Sequence, residues 1–173
     1  MPLIASTYYN LVLHDGPEEF CAALRRAGVT GLIVPDLPVH EADELMEAAA
    51  ACDIEPALLA SPTTPDARLA EIGARSRGFV YAVSVMGTTG ERTALAASAA
   101  RLAARLKNVT DLPLARIRHL HPGSGPPRRR HADGVVVGAA VMRRVLDGAA
   151  PDDLRAFVTT LRQALDQECD PPR

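Results

Sequence analysis

One stretch decides the fold: Gly78-Phe79-Val80-Tyr81-Ala82-Val83-Ser84-Val85-Met86-Gly87-Thr88-Thr89-Gly90-Glu91-Arg92. Its first half is apolar and rich in β-branched and aromatic residues, which is typical of a strand buried on both faces. Its second half is small, polar and rich in glycine, and it leads into an Ala/Leu/Arg segment that predicts a helix. Because α/β folds bind ligands where strands end, this loop is a candidate ligand site. The alternative is an ordinary β-to-α connection.

The same alternation of strand and helix extends outward in both directions. Each predicted strand precedes a predicted helix, which indicates βαβ units and a parallel sheet. The predicted strands are 3–8, 32–34, 57–60, 79–85, 112–115 and 135–137, and the predicted helices include 17–27, 41–51, 65–75, 93–107 and 151–165.

Size and composition limit the classes of function. The chain has 173 residues and a formal net charge of −2, so nothing in the total charge favours nucleic acid or an anionic membrane as partner. It contains no apolar run of membrane-spanning length, and its start does not have the pattern of a signal peptide. Its three cysteines have no metal or redox spacing, so we expect a reduced cytoplasmic protein without metal or cofactor.

Five blocks of sequence carry a resemblance to a known family. They are Ser6-Thr7-Tyr8-Tyr9-Asn10, Gly31-Leu32-Ile33-Val34-Pro35-Asp36-Leu37-Pro38, Ser61-Pro62-Thr63-Thr64, the stretch from Phe79 to Arg92, and Ala132-Asp133-Gly134-Val135-Val136-Val137-Gly138. In this order and at this spacing the blocks resemble the tryptophan synthase α chain.

The resemblance implies a partial TIM-type (β/α) barrel. A complete barrel of eight βα units needs about 250 residues, whereas this sequence supplies about six units, which correspond to the family's third to eighth strands. We therefore expect a barrel domain over residues 1–166 that lacks the first two strands, followed by a flexible tail over 167–173. The alternative is a complete doubly wound sheet of six strands.

The implied reaction is the retro-aldol cleavage of indole-3-glycerol phosphate to indole and glyceraldehyde 3-phosphate. Such a cleavage needs proton transfer at the indole C3 and at a sugar hydroxyl, together with a carboxylate near the indole nitrogen. In the family a Glu on the first strand and an Asp at the end of the second perform these roles, and both precede the matching region. The resemblance thus implies that this chain holds no catalytic residue. Asp36 ends a strand, but we interpret it as a turn cap.

The remaining site residues follow from the resemblance, position by position. The indole side of the pocket would be lined by Tyr8, Ile33, Leu59 and Tyr81, although buried aliphatic residues on parallel strands are more often core. Thr89 and Gly90 belong to the loop that closes over the substrate, and Asn10 faces the β chain, which is the expected partner. The amides at Gly138 and Ala139 would bind the phosphate at a helix N-terminus.

The seventh-strand region departs from the family. From Arg116 to Arg130 the chain is rich in Arg, His and Pro where the family has a Gly-Phe-Gly-Ile-Ser loop. One permitted codon string for 116–126, read one base later, encodes Gly-Phe-Gly-Ile-Ser-Thr-Pro-Glu, which indicates a shifted reading frame. The alternative is a basic loop that binds anions or nucleic acid. Because charges here would be costly to bury, we expect Ile117 to Arg130 to be disordered or displaced.

Three functions are compatible with the sequence. The first is the lyase activity of the family. The second, which we favour, is a catalytically incomplete chain that still binds a tryptophan synthase β chain. The third is another phosphosugar-binding α/β protein. Since two strands are lacking, we also expect an open sheet with an unpaired edge at Leu3 to Tyr8.

Overall fold

The structure is a computed structural model, and it describes residues 1–83, 92–117 and 133–166. Strands and helices alternate along most of it, as the sequence predicts. In chain order the elements are β1 (Ile4–Ser6), α1 (Tyr9–Asp15), α2 (Pro17–Arg26), β2 (Gly31–Ile33), a 3-10 turn (Val39–Glu41), α3 (Asp43–Ala51), β3 (Glu55–Pro56), β4 (Leu59–Ala60), α4 (Asp66–Arg75), β5 (Val80–Ala82), α5 (Arg92–Lys107), β6 (Leu114–Ile117), β7 (Gly134–Val136), α6 (Ala139–Leu146) and α7 (Pro151–Asp166).

All strand pairs among the described residues are parallel. The strands form one set in the order β1-β2-β3 and a second in the order β4-β5-β6-β7. The segment 55–60 joins the two sets, because the Ala57 N–H donates to the Leu32 carbonyl at 2.9 Å and the Tyr81 N–H donates to the Leu58 carbonyl at 2.9 Å. Six strand positions therefore follow one another in chain order, and the prediction of about six parallel βα units in a partial barrel is confirmed.

Of the strand predicted at 57–60, the structure has only Leu59–Ala60 (β4), while β3 (Glu55–Pro56) precedes the predicted range. Leu58, which lies between β3 and β4, donates its backbone N–H to the Ser76 hydroxyl at 3.3 Å. Ser76 directly follows α4 and is only 1% exposed. Between β3 and β4 the Leu58 N–H is thus bonded to a side chain rather than to a neighbouring strand.

Helices α1 to α5 cover one face of the sheet. Side chains that point toward them are almost fully buried, with Leu32 at 1%, Val80 at 0% and Leu114 at 1% exposure. The core consists of two clusters, one between β2 and the α1–α3 helices and one between β4–β6 and the α4–α5 helices. In the described part of the chain β1 pairs only with β2, and Ile4 on this strand is 41% exposed. The expected open edge is present.

Two local predictions need correction. Helix α1 was not expected, because the sequence predicted a strand to Tyr8 and then only a turn at His14. The strand in fact ends at Ser6, and Gly16, at φ 84°, separates α1 from α2. Ile117, expected in a displaced segment, is instead the last residue of β6 and pairs with Val136. The rest of that segment, residues 118–130, and the tail 167–173 lie outside the described residues.

Candidate ligand pocket and its rim

Three of the predicted pocket residues share one face of the sheet. Ile33, Leu59 and Tyr81 lie on β2, β4 and β5, and each is half-buried. Their chain neighbours Leu32, Ala60 and Val80 point the other way, into the helix-covered core. Leu59 and Tyr81 are register partners on the paired strands β4 and β5, and Ile33 points to the same side from β2; these three positions are here called the inner wall.

Tyr81 gives the inner wall a polar group. Burial raises the pKa of its phenol above the ordinary value of 10.0, so the hydroxyl stays protonated at neutral pH and can donate a hydrogen bond. Its ring lies 6.5 Å from the ring of Phe79, at an interplanar angle of 58°. An apolar surface with one neutral hydroxyl suits a flat aromatic ligand.

Tyr8 lies at the rim of the inner wall. The Thr7 N–H donates to the Ile33 carbonyl at 3.0 Å, which places Tyr8 just beyond the end of β2. Its backbone is extended and its side chain is 64% exposed. The structure therefore brings Tyr8 to the same end of the sheet as Ile33, but without burying it.

Asp36 has a capping role, although at a different place from the one expected. Its carboxylate oxygens accept from the Tyr9 N–H at 3.0 and 3.2 Å. Tyr9 is the first residue of α1, so Asp36 caps a helix that lies 27 residues earlier in the chain. Sequence reasoning identified the kind of role but could not identify the helix.

The loop after β4 is held by a residue that the sequence analysis did not identify. Arg105, on α5, donates to the Thr64 carbonyl at 2.5 Å, to the Pro62 carbonyl at 3.2 Å and to an Asp66 oxygen at 2.7 Å. Within this loop, the Ser61 N–H donates to the Thr64 hydroxyl at 3.0 Å. Arg105 thereby fixes the segment that follows Leu59. Its partners lie about forty positions away, so no local sequence pattern indicates this role.

The predicted phosphate site is the start of α6. Gly138 immediately precedes this helix, and its carbonyl accepts from the N–H groups of Val141 and Met142, both at 3.0 Å. The first amides of a helix have no acceptor within the helix, so those of Ala139 and Ala140 are the donors at this end. Gly138 and Ala139 are exposed. A phosphate is well suited to such a position.

Asn10 is exposed on α1 and precedes two further exposed leucines. Leu11 is 54% exposed and Leu13 is 55% exposed, whereas Val12 is fully buried. Thr89 and Gly90, predicted for the closing loop, lie outside the described residues.

A groove of about 480 Å³ lies away from the inner wall, between α3 and α4, at the beginning of β3. The sequence analysis did not predict it. Both acidic and basic side chains line it, and Arg75 crosses it to bind Asp43 at 2.6 Å.

The described ranges hold neither a metal cluster nor a membrane-spanning helix. No group of three or more His, Cys, Asp or Glu side chains there could hold a metal ion. No helix in these ranges is long and apolar enough to cross a bilayer.

Comparison with known proteins identifies the family. The family described as "Tryptophan synthase alpha chain" matches residues 1–168. A curated relative of that name from a Cyanothece species is 41% identical over 95% of this chain and 63% of its own length. The corresponding protein of Microcystis aeruginosa is 39% identical over 95% of this chain and 64% of its own length. The chain thus spans a little under two thirds of these relatives.

Solved structures agree with the sequence comparison. A chain of the tryptophan synthase a2b2 complex of Pyrococcus furiosus superposes with a TM-score of 0.75 at 34% identity, covering 96% of this chain and 66% of that one. A chain of Mycobacterium tuberculosis tryptophan synthase gives 0.78 at 34% identity, over 95% and 62%. On the strength of its strand order, its motifs and these matches, the chain belongs to the tryptophan synthase α chain family.

Proposed function

We propose that this chain forms the indole- and phosphate-binding part of a tryptophan synthase α-chain site, and that it does not cleave indole-3-glycerol phosphate by itself. The observation that carries the proposal is the inner wall, where Leu59 and Tyr81 are partners on paired strands and Ile33 faces the same side from β2. The start of α6 follows β7 at the carboxyl ends of the same parallel strands. An apolar surface and an anion-binding helix start fit the two ends of an indolyl phosphosugar.

The lack of cleavage follows from the groups available for proton transfer. The reaction needs a carboxylate beside the indole nitrogen and a proton donor and acceptor near the bond that breaks. The inner wall contributes a neutral phenol, and the carboxylate of Asp36 is directed to the Tyr9 N–H. In the family the catalytic Glu and Asp belong to strands that precede the matching region. The described residues of this chain do not supply these two groups, and proton transfer typically contributes a factor of about 10²–10⁴.

The surface of α1 supports a β chain as partner. This short helix and the residue before it expose four side chains at the rim of the inner wall: Tyr8, Asn10, Leu11 and Leu13. Exposed apolar side chains grouped around a polar residue are typical of an interface. The Pyrococcus furiosus relative belongs to an a2b2 complex. We therefore propose a tryptophan synthase β chain as partner, and the cytoplasm as the compartment, where Cys21 and Cys52 stay unpaired.

Two titrations followed by backbone amide shifts test the proposal. Indole should shift the amides of Leu59 and Tyr81 most, and glycerol 3-phosphate should shift those of Gly138 to Val141. Cleavage of indole-3-glycerol phosphate, assayed with and without a β chain, should be undetectable. Turnover near that of a complete α chain would contradict the proposed incompleteness.

The alternative function, a different phosphosugar-binding protein, predicts a different outcome. Glycerol 3-phosphate would then bind as before, while indole would leave the inner wall unchanged. Larger phosphate-induced shifts at Arg116 and Ile117 than at Gly138 would favour the basic segment as the anion site.

A further inference from the structure

Helix α1 begins without a cap of its own. Its N-cap residue is Tyr8, which makes no side-chain hydrogen bond to the helix, and its first turn contains no acidic residue. The first four N–H groups of any helix need acceptors from outside the helix. A helix of seven residues is also too short to be stable without tertiary contacts.

Asp36 supplies the missing cap from a neighbouring loop. Both of its carboxylate oxygens lie within 3.2 Å of the Tyr9 nitrogen, and the negative charge lies at the positive end of the helix dipole. Asp36 is itself held in a turn, because the Leu37 N–H donates to the Val34 carbonyl at 3.3 Å. The loop after β1 is thus fastened to the loop after β2.

The second attachment of α1 lies in its middle. Val12 is fully buried in the cluster of β2, α2 and α3, and Tyr9 packs against the same cluster. These apolar contacts hold the helix on the sheet. The hydrogen bond to Asp36 determines where the helix starts, and so it determines the positions of Tyr8 and Asn10 on either side of Tyr9.

We propose that Asp36 is a positioning residue, which ties the start of α1 to the end of β2 so that the inner wall and the exposed surface of α1 keep a fixed relation. Ile33 of the inner wall lies three residues before Asp36, and its carbonyl accepts from the Thr7 N–H. A displacement of Ile33 should therefore move Tyr8 and Asn10, because one hydrogen bond joins Thr7 to Ile33 and another joins Tyr9 to Asp36. The role of α1 as a partner surface rests on the proposed function; the positioning of α1 does not.

The test compares three variants. Asp36→Ala removes the acceptor, Asp36→Asn keeps an acceptor oxygen without the charge, and Asp15→Asn is the control. Asp15 is exposed at the other end of α1, where it binds His14 at 2.7 Å, so its variant has the same charge change without affecting the cap. Amide hydrogen exchange is measured at Tyr9, Asn10 and Leu11, and affinity is measured for the β chain of the Cyanothece species.

The expected results differ among the variants. Loss of an N-cap acceptor should speed exchange at the start of α1 about fivefold in Asp36→Ala. Exchange at the buried Leu32 should not change, since the core cluster is untouched. Asp36→Asn should restore most of the protection, Asp15→Asn should behave like the parent, and affinity for the β chain should fall by a similar factor in Asp36→Ala alone.

Two outcomes separate this inference from the proposed function. If exchange at Tyr9 to Leu11 is the same in Asp36→Ala and in the parent, Asp36 does not position α1 and the inference is overturned. If exchange rises as expected but the parent chain does not bind the β chain, the positioning role is upheld and the assigned partner is wrong. Exchange that is faster than in the parent, and equally so in Asp36→Asn and Asp36→Ala, would show that Asp36 holds the start of α1 mainly through its charge, which still supports the positioning role.

Discussion

Replacing Ser76 by alanine should destabilise the chain by removing the hydrogen bond that its hydroxyl accepts between β3 and β4. The Ser76 hydroxyl is 1% exposed and accepts from the Leu58 N–H at 3.3 Å. Without it, that N–H has no acceptor among the described residues. A buried donor left without a partner costs about 1–3 kcal/mol.

This loss of unfolding free energy should also lower the melting temperature. In a protein of this size each kcal/mol corresponds to about 2–4 °C, so a loss of ~2 kcal/mol would lower the Tm by roughly 4–8 °C. Residue 76 lies after the end of α4 in an extended conformation. The high helix propensity of alanine therefore does not compensate for the lost hydrogen bond.

Ser98→Ala is the matched control. Ser98 is half-buried on α5, and within the described ranges its hydroxyl makes no hydrogen bond. Since alanine is the better helix former, this variant should keep or slightly raise the free energy of unfolding. Urea unfolding followed by circular dichroism measures both variants, and amide exchange reports on Leu58. Equal unfolding midpoints for the two variants, with unchanged exchange at Leu58, would refute the reasoning.

Two further predictions concern groups away from the strand. Burial, together with Cys52 and Glu18, raises the pKa of Cys21 from 9.0 to about 11. The contribution of Cys21 to the free energy of unfolding should therefore be constant below pH 9 and decline from pH 9 to 11, by at most ~1.4 kcal/mol per pH unit. The difference in unfolding free energy between the parent and Cys21→Ala, measured from pH 8 to 11, should shrink accordingly. If this difference in unfolding free energy stays constant across the pH range, the pKa of Cys21 is not raised in the folded protein. Arg105→Met keeps the aliphatic stem of the side chain but loses three hydrogen bonds, and because the side chain is 32% exposed we expect a modest loss of about 1 kcal/mol in urea unfolding, with faster exchange at Thr64. An unchanged midpoint would mean that water replaces the guanidinium at no cost.

The sequence by itself was sufficient for the alternation of strands and helices. The predicted helix starts at Pro17 and Asp66 were correct to within a residue, because Pro and acidic residues act locally at a helix N-terminus. Apolar runs such as Leu32-Ile33 were correctly predicted as strands for a similar reason. In a parallel sheet that is covered on both faces, consecutive strand residues are apolar, and this pattern is local in the sequence. Together with the ordered motifs, these local signals were enough to predict the family and the partial barrel.

Tertiary structure decided the features that depend on residues far apart in the chain. The cap of α1 comes from 27 residues away, the Leu58 N–H between β3 and β4 donates to a hydroxyl 18 residues away, and the contacts of Arg105 extend over more than 40 positions. A short helix without a local cap, such as α1, has no sequence signal strong enough to predict it. Its existence follows from the carboxylate of Asp36 and the buried side chain of Val12, which act on α1 only once the sheet brings the loops after β1 and β2 together.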